Sequence, residues 1–306
     1  MSLTLAITGV TGFVGSHVLE RALATGCEVM ALKRHMRMSD YLTDTPSPVW
    51  VEGTLEDSES LARLCEGADG VIHIAGAVNV PTREAFAAAN IAGTQAVVDA
   101  ATATGVSRFI HVSSLAAREP TLSNYGWSKA GAEDVVRASS LDWTIVRPPG
   151  IYGPRDHDVL EMFRMAKRGI MLLPPRGRGS WIHVEDLARL LVVLASGGAS
   201  HAVLEPDDRT PVTHDQMAQA IARALGRTSV QTLHAPRPLL NLAARADRLV
   251  RGDKAKLTPD RASYMAHPDW TSNPALRPDL PLWQPMITAA DGLAATAQWY
   301  RAHGWL

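Results

Sequence analysis

The segment Thr8-Gly9-Val10-Thr11-Gly12-Phe13-Val14-Gly15 sets glycines three residues apart, directly after a short apolar run and directly before a stretch of helical spacing at 14–25. That order predicts a strand, a tight turn and a helix. Gly9 permits the turn, Gly12 lets backbone approach a pyrophosphate, and Gly15 lets helix and strand pack closely, with the helix N-terminus facing the negative charge. Thr11, Phe13 and Val14 lie in the same turn and belong with it as candidate cofactor contacts. A glycine triplet alone specifies little beyond a tight turn, and its strand–turn–helix setting is what points to a dinucleotide.

Apolar runs at about 3–8, 27–33, 70–75, 108–113 and 142–147 are short and punctuated by Gly, Asn or Asp, as strands buried on both faces are. Between them, 14–25, 58–66, 84–104 and 126–139 have the spacing of helices. This alternation predicts an α/β fold, a doubly wound parallel sheet of the Rossmann type, over residues 1–150. Over 151–306 the alternation weakens and proline becomes frequent, which predicts a smaller, mixed substrate-binding lobe. Within it, about 180–205, comprising a helix at 185–196 and a strand near 201–204, is expected to return to the first domain.

Thirty Lys and Arg against 31 Asp and Glu leave a net charge of -1, so no overall field draws the chain to nucleic acid or to anionic lipid. The expected partner is a small-molecule substrate, with neither nucleic acid nor membrane. Cys27 and Cys65 form no CxxC or Cys/His cluster, which predicts free thiols, no disulfide and no metal site. MSLTLAITGV carries no basic leader, and no uncharged stretch approaches about 18 residues, so a soluble cytoplasmic protein is expected.

Three further segments carry chemistry. At the end of the second strand, Ala31-Leu32-Lys33-Arg34-His35-Met36-Arg37 lacks the acid that an NAD enzyme sets against the ribose diol. Lys33, Arg34 and Arg37 suit a 2'-phosphate instead, which predicts NADP, although a solvated basic turn would have the same composition. Tyr125-Gly126-Trp127-Ser128-Lys129 puts a phenol and an ammonium on one helix face. The ammonium, with the charge of an oxidised nicotinamide, is expected to draw the phenol from about 10 toward neutrality, for proton exchange with a hydroxyl or carbonyl. The preceding strand, Phe109-Ile110-His111-Val112-Ser113-Ser114, ends in hydroxyls suited to the oxygen that gains charge.

These segments together resemble the extended short-chain dehydrogenase/reductase family, the NAD(P)-dependent epimerases and dehydratases. The GxxGxxG spacing with its leading Thr8, the Ser pair before YxxxK, Arg147-Pro148-Pro149-Gly150-Ile151-Tyr152-Gly153-Pro154, Trp181-Ile182-His183-Val184-Glu185-Asp186-Leu187-Ala188 and the Trp299–Trp305 ending all carry the likeness. It spans nearly the whole chain, dense before residue 190 and diffuse after it. The resemblance implies Tyr125 as acid/base, Lys129 at the nicotinamide ribose and Ser114 on the substrate oxygen. It also implies cofactor contacts at Arg34, Ile74, Ala75, Gly76, Asn90, Val112, Pro148 and Ile151, and at Leu55 over the adenine, where the usual Asp-Leu is replaced by Thr54-Leu55. His73, His183 and Asp186 fit scaffold better than catalysis.

Eleven positions separate Ser114 from Tyr125, fewer than in typical nucleotide-sugar members, so the loop that helps enclose a sugar is trimmed. The expected function is therefore an NADP(H)-dependent oxidoreductase acting on a carbonyl or secondary alcohol of a small, apolar substrate. Met162, Met165 and Trp181 would line its pocket or merely fill core. One alternative is a nucleotide-sugar epimerase or dehydratase, with Arg155, Arg164, Lys167, Arg168, Arg176 and Arg178 available for a diphosphate. Another is a non-catalytic NAD(P)-binding sensor or assembly protein. Members of the family commonly pair through the helices read at 84–104 and 126–139, which implies a homodimer.

Overall fold

A computed structural model describes residues 2–34, 47–252, 255 and 257–306. Arg37, one of the three residues expected at the 2'-phosphate, lies outside the described residues.

In chain order the first stretch contains β1 (Thr4–Thr8), α1 (Phe13–Ala24), β2 (Glu28–Lys33), β3 (Val49–Glu52), α2 (Ser58–Cys65), β4 (Gly70–His73), α3 (Arg83–Phe86), α4 (Gly93–Ala103), β5 (Arg108–Val112), α5 (Asn124–Ala138) and β6 (Asp142–Val146). There follow β7 (Gly150–Tyr152), α6 (His157–Arg168), β8 (Ile170–Leu173), β9 (Arg178–Gly179), β10 (Trp181–His183), α7 (Val184–Ala195) and β11 (Ala202–Leu204). The remainder is β12 (Val212–Thr213), α8 (His214–Ala224), β13 (Gln231–His234), α9 (Arg237–Arg251), α10 (Pro259–Met265), β14 (Asp269–Trp270) and α11 (Ala289–Ala302).

The chain divides into two compact units. The first comprises Met1–Arg147, Leu187–Glu205 and Pro278–Gln284. Its seven strands run parallel in the order β11-β6-β5-β4-β1-β2-β3, with α1, α2, α3, α4, α5 and α7 among the elements that connect them, the doubly wound sheet that the alternation predicts. Parallel register carries Thr8, His73 and His111 side by side across β1, β4 and β5, so the turns that follow these strands emerge together at the C-terminal edge of the sheet. Open α/β sheets bind ligands at that edge. One face of the sheet buries Leu61, Leu64, Val97, Val98, Phe109 and Val136 in a single cluster, each side chain contributing about 1.5–3 kcal/mol through removal from water.

Two local features differ from the periodicity. β3 has only Val51 buried among its four residues, since it pairs with β2 alone at the sheet edge, and its apolar stretch, Val49-Trp50-Val51, is too short to mark a strand in the sequence. The alanine-rich span at 84–104 is not one regular helix. It widens into a π-helical stretch, Ala87–Ala92, between α3 and α4, and this stretch carries Asn90 into the interior. Widened turns of this kind recur at functional sites.

The second unit comprises Pro148–Asp186, Pro206–Arg277 and Pro285–Leu306. It holds the pairs β10-β7 and β13-β8 and the three-stranded sheet β12-β9-β14. Its core gathers Tyr152, Phe163, Met217, Ile221, Leu293 and Tyr300. The Tyr300 hydroxyl donates to the Asp156 carbonyl at 2.6 Å, so this large buried side chain leaves no unpaired donor.

Candidate active site

Two glycines of the turn, Gly9 and Gly15, exclude a side chain. Gly9 has φ +78°, and a Cβ there would stand 2.7 Å from the amide nitrogen of Ala75. A Cβ on Gly15 would meet the Gly9 carbonyl oxygen at 2.0 Å, because α1 lies directly against the turn. Gly12 caps α1 without a side-chain acceptor, and the first turn contains no acidic residue. By contrast, α2, α5 and α8 have their first amides bonded by Asp57, Ser123 and Thr213. The opening of α1 thus fits a diphosphate: amide donors without a competing carboxylate, at the positive end of the helix dipole. Gly15→Ala is expected to cost about 3 kcal/mol or more through overpacking, read as a lowered urea midpoint, together with loss of nucleotide binding. A variant with wild-type stability would contradict that close approach.

From this turn a hydrogen-bonded relay runs across the sheet edge. Thr8 Oγ1 accepts the amides of Ile74 and Ala75, both at 3.2 Å, so its own proton goes to His73 Nδ1 at 2.8 Å. The His73 proton is thereby assigned to Nε2, which donates to Thr94 Oγ1 at 3.1 Å, and Thr94 donates to the Asn90 carbonyl at 2.6 Å. Burial first, and the Lys129 charge second, push His73 down to about 3, so it stays a neutral structural link at physiological pH. The Asn90 side chain then closes on both neighbours. It accepts from the Ala77 amide at 2.7 Å and donates to the Ala77 carbonyl at 3.0 Å and to Ser128 Oγ at 2.8 Å. Ser128 in turn donates to the Tyr125 carbonyl at 2.8 Å, so the glycine turn and the first turn of α5 are held by one network. Gly76 has no room for a side chain, since a Cβ would lie 2.8 Å from Asn90 Oδ1.

Tyr125, Ser114 and Lys129 are brought together by β5 and α5. Ser123 caps α5 by accepting from the Gly126 amide at 3.0 Å, which places Tyr125 in the first turn and Lys129 one turn on. Ser114 accepts the Ala116 amide at 3.2 Å, the ordinary behaviour of a serine at a strand end, and its hydroxyl also hydrogen-bonds the Tyr125 phenol. Lys129 Nζ donates to the Val112 carbonyl at 2.7 Å. In the chain alone burial raises the Tyr125 phenol, and only the Ser114 bond pulls the other way; the lowering expected in the presence of an oxidised nicotinamide belongs to the complex. The ammonium is engaged by Val112, and its own burial brings it down to about 8 despite the pull of Glu133.

Glu133, the next residue on the same face of α5, is fully buried, and sequence reasoning passed over it. Its carboxylate accepts from Ser113 Oγ at 2.5 Å, from Arg137 at 2.7 Å and from Arg147 through two bonds of 2.7 and 2.6 Å. Arg147 also faces Glu205 at 3.6 Å, and Glu205 pairs with Arg118 at 3.2 Å. Burial alone would raise Glu133, but the bonds and charge of Arg147, followed by those of Ser113 and Arg137, hold its carboxyl below the usual range. This ladder fixes the strand end at Ser113-Ser114 against the helix that carries Tyr125 and Lys129. The continuing spacing of Tyr125, Lys129 and Glu133 by four residues was the available signal.

The remaining candidates are distributed as follows. Leu55 packs against the core of the first unit, and its Cδ1 lies 2.8 Å from where a Gly93 Cβ would stand. Lys33 rests over the Trp50 ring at 5.2 Å, while Arg34 is exposed. Pro148 and Ile151 belong to the second unit, where Ile151 pairs with Ile182. Asp186 accepts the amides of Met286 and Ile287 at 3.0 and 2.9 Å, a scaffold role. Met162, Met165 and Trp181 pack against the core of the second unit. Arg164 pairs with Glu161 and Arg178 with Asp269, which accounts for two of the arginines considered for a diphosphate. Cys27 and Cys65 are free thiols.

A family model described as NAD(P)H-binding matches residues 9–196. Ceramide reductase of Caulobacter vibrioides is 37% identical over 309 aligned positions, which cover 99% of this chain and 96% of that protein. dTDP-glucose 4,6-dehydratase of Streptomyces niveus is 23% identical, with 97% and 92% covered. Among solved structures, the Bordetella bronchiseptica enzyme WbmH in complex with NAD+ has a TM-score of 0.76 over 99% of this chain and 100% of that one, at 21% identity, a likeness of fold.

Proposed function

Since the chain belongs to the NAD(P)H-binding, extended short-chain dehydrogenase/reductase and epimerase–dehydratase family, we propose that it is an NADP(H)-dependent reductase of an apolar ketone, of the class found in N-acylated long-chain amino-alcohol lipids. The observation that carries this is the Tyr125 phenol, hydrogen-bonded to Ser114 and kept protonated by its surroundings. A protonated phenol is what carbonyl reduction requires and alcohol oxidation does not. The likeness to a ceramide reductase over nearly the whole of both chains supports the substrate class.

The reduced dinucleotide supplies a hydride when bound. The chain's own residues do the rest. Ser114 orients the carbonyl oxygen, Tyr125 gives that oxygen its proton as the alcohol forms, and the resulting phenolate is reprotonated from solvent. Lys129 holds the ribose and, through its charge, eases the transient phenolate. The amides at the opening of α1 take the diphosphate, with Arg34 on the 2'-phosphate.

The test is consumption of NADPH by the purified protein in the presence of an N-acyl amino ketone. Net consumption with formation of the alcohol is the expected result. Conversion of a nucleotide sugar without net consumption, by protein that keeps its nucleotide through purification, would replace the proposal with the dehydratase alternative. NADPH is expected to bind about tenfold or more tightly than NADH in a fluorescence titration, and Arg34→Ala to erase most of that difference. Equal binding of the two in the wild type would remove the basis for NADP.

A further inference from the structure

We propose that α9 is a docking helix for an anionic lipid surface: its outward apolar stripe enters the acyl region while its arginines meet headgroup phosphates. One side of the helix is already satisfied. Leu240 and Ala244 are buried with Ala235, Ala262 and Ala266, and Asp247 accepts the Leu257 amide at 2.9 Å and pairs with Arg251 at 3.2 Å. At about 100° per residue, Leu239, Leu242, Ala243, Ala246, Leu249 and Val250 fall within a single arc of roughly 120° on another side. All six are exposed, with Leu242 at 64%, Leu249 at 88% and Val250 at 83%. An ordinary amphipathic helix buries its one apolar face, whereas α9 has a second one left in water.

Charge identifies the occupant. α9 itself holds four basic residues, Arg237, Arg245, Arg248 and Arg251, against Asp247, a net charge of +3 in a chain whose total is -1. The near-zero total argues against attraction to lipid only as a sum over the whole surface. Within a Debye length of about 8 Å, a concentrated basic segment acts on its own. At about 1.5 Å per residue this helix is too short to span a bilayer, and among the described residues no helix is long and apolar enough to cross one. Lying in the interface is the arrangement such a helix allows. β13, which ends three residues before α9 begins, carries exposed Leu233 in register with exposed Leu172 of β8, and this adds apolar surface to the same unit.

The test uses the full-length protein with vesicles of phosphatidylcholine alone or in equal parts with phosphatidylglycerol. Sedimentation with the mixed vesicles, weakened by salt and at least about tenfold stronger than with phosphatidylcholine alone, is expected. Leu242→Glu combined with Leu249→Glu should lower that partition about tenfold or more with an unchanged thermal melt, since both side chains are exposed. Arg237→Ser with Arg245→Ser should weaken it and flatten its salt dependence. Wild-type protein remaining in the supernatant, or a double-Glu variant that partitions like wild type, would overturn the proposal. So would a concentration-dependent dimer that the double-Glu variant dissolves while vesicles bind neither protein. Docking does not depend on the reductase assignment. NADPH consumption with a short-chain, water-soluble ketone reads that assignment separately and should be the same in the double-Glu variant.

Discussion

Tyr125→Phe is expected to lower the turnover number for ketone reduction by about 10²–10⁴-fold while leaving the NADPH titration unchanged, because the phenyl ring keeps its packing and loses only the transferable proton. The pH dependence has a definite sign. Burial raises the phenol, so Tyr125 is protonated across the neutral range and reduction should be flat there. Lys129 loses its charge as the pH rises through about 8, so the reductive rate should fall on the alkaline side. Oxidation of the alcohol, which needs the phenolate, should instead rise with pH until Lys129 deprotonates. Turnover measured in both directions from neutral to alkaline pH checks this, and a reductive rate that shows no alkaline decline would remove Lys129 from the role given to it. Glu133→Gln adds a diagnostic: Glu133 pulls Lys129 upward, so its neutralisation should move the alkaline limb to lower pH.

The second large effect is on stability. Glu133→Ala leaves Arg147, bound to it through two short hydrogen bonds, without its main partner, and a broken buried pair of this kind costs about 3–5 kcal/mol. Glu133→Leu combined with Arg147→Met should recover much of that loss, because removal of both charges leaves no uncompensated one. Urea midpoints of the single and double variants measure the coupling. The folded-state pKa of Glu133 is depressed, so its contribution is fully present above the ordinary carboxylate value and is lost as the pH falls through the lower folded value. The gap between wild type and Glu133→Gln should therefore narrow in acid. A double variant no more stable than Glu133→Ala would show that packing, and not the ion pair, dominates there.

What was legible in the sequence was local. The turn at Gly9, Gly12 and Gly15 is encoded in eight consecutive residues, and its steric logic holds in the fold: a side chain at Gly9 or Gly15 would strike backbone. The Tyr125 and Lys129 pair is likewise encoded by one helical turn. β3 was not legible, because a strand paired on one side can be short, and the three apolar residues Val49-Trp50-Val51 carry no period of their own. The 84–104 span looked like plain helix because alanine composition carries no mark of the widened turn that buries Asn90. For α9, only packing reveals which of its two apolar faces is used.

The sequence by itself determined the parallel α/β order, the glycine turn and the placing of Tyr125 and Lys129 on one helix face, since each rests on spacings of a few residues that backbone geometry converts directly into proximity. Only the tertiary structure decided how those parts are held. The bonds of Thr8 to His73, Asn90 to Ser128, Glu133 to Arg147 and Arg118 to Glu205 span separations of 65, 38, 14 and 87 residues, which no periodicity records. It also decided that burial raises the Tyr125 phenol in the chain alone, because desolvation depends on what the whole fold places around a group, whereas the motif names only the neighbour one turn away.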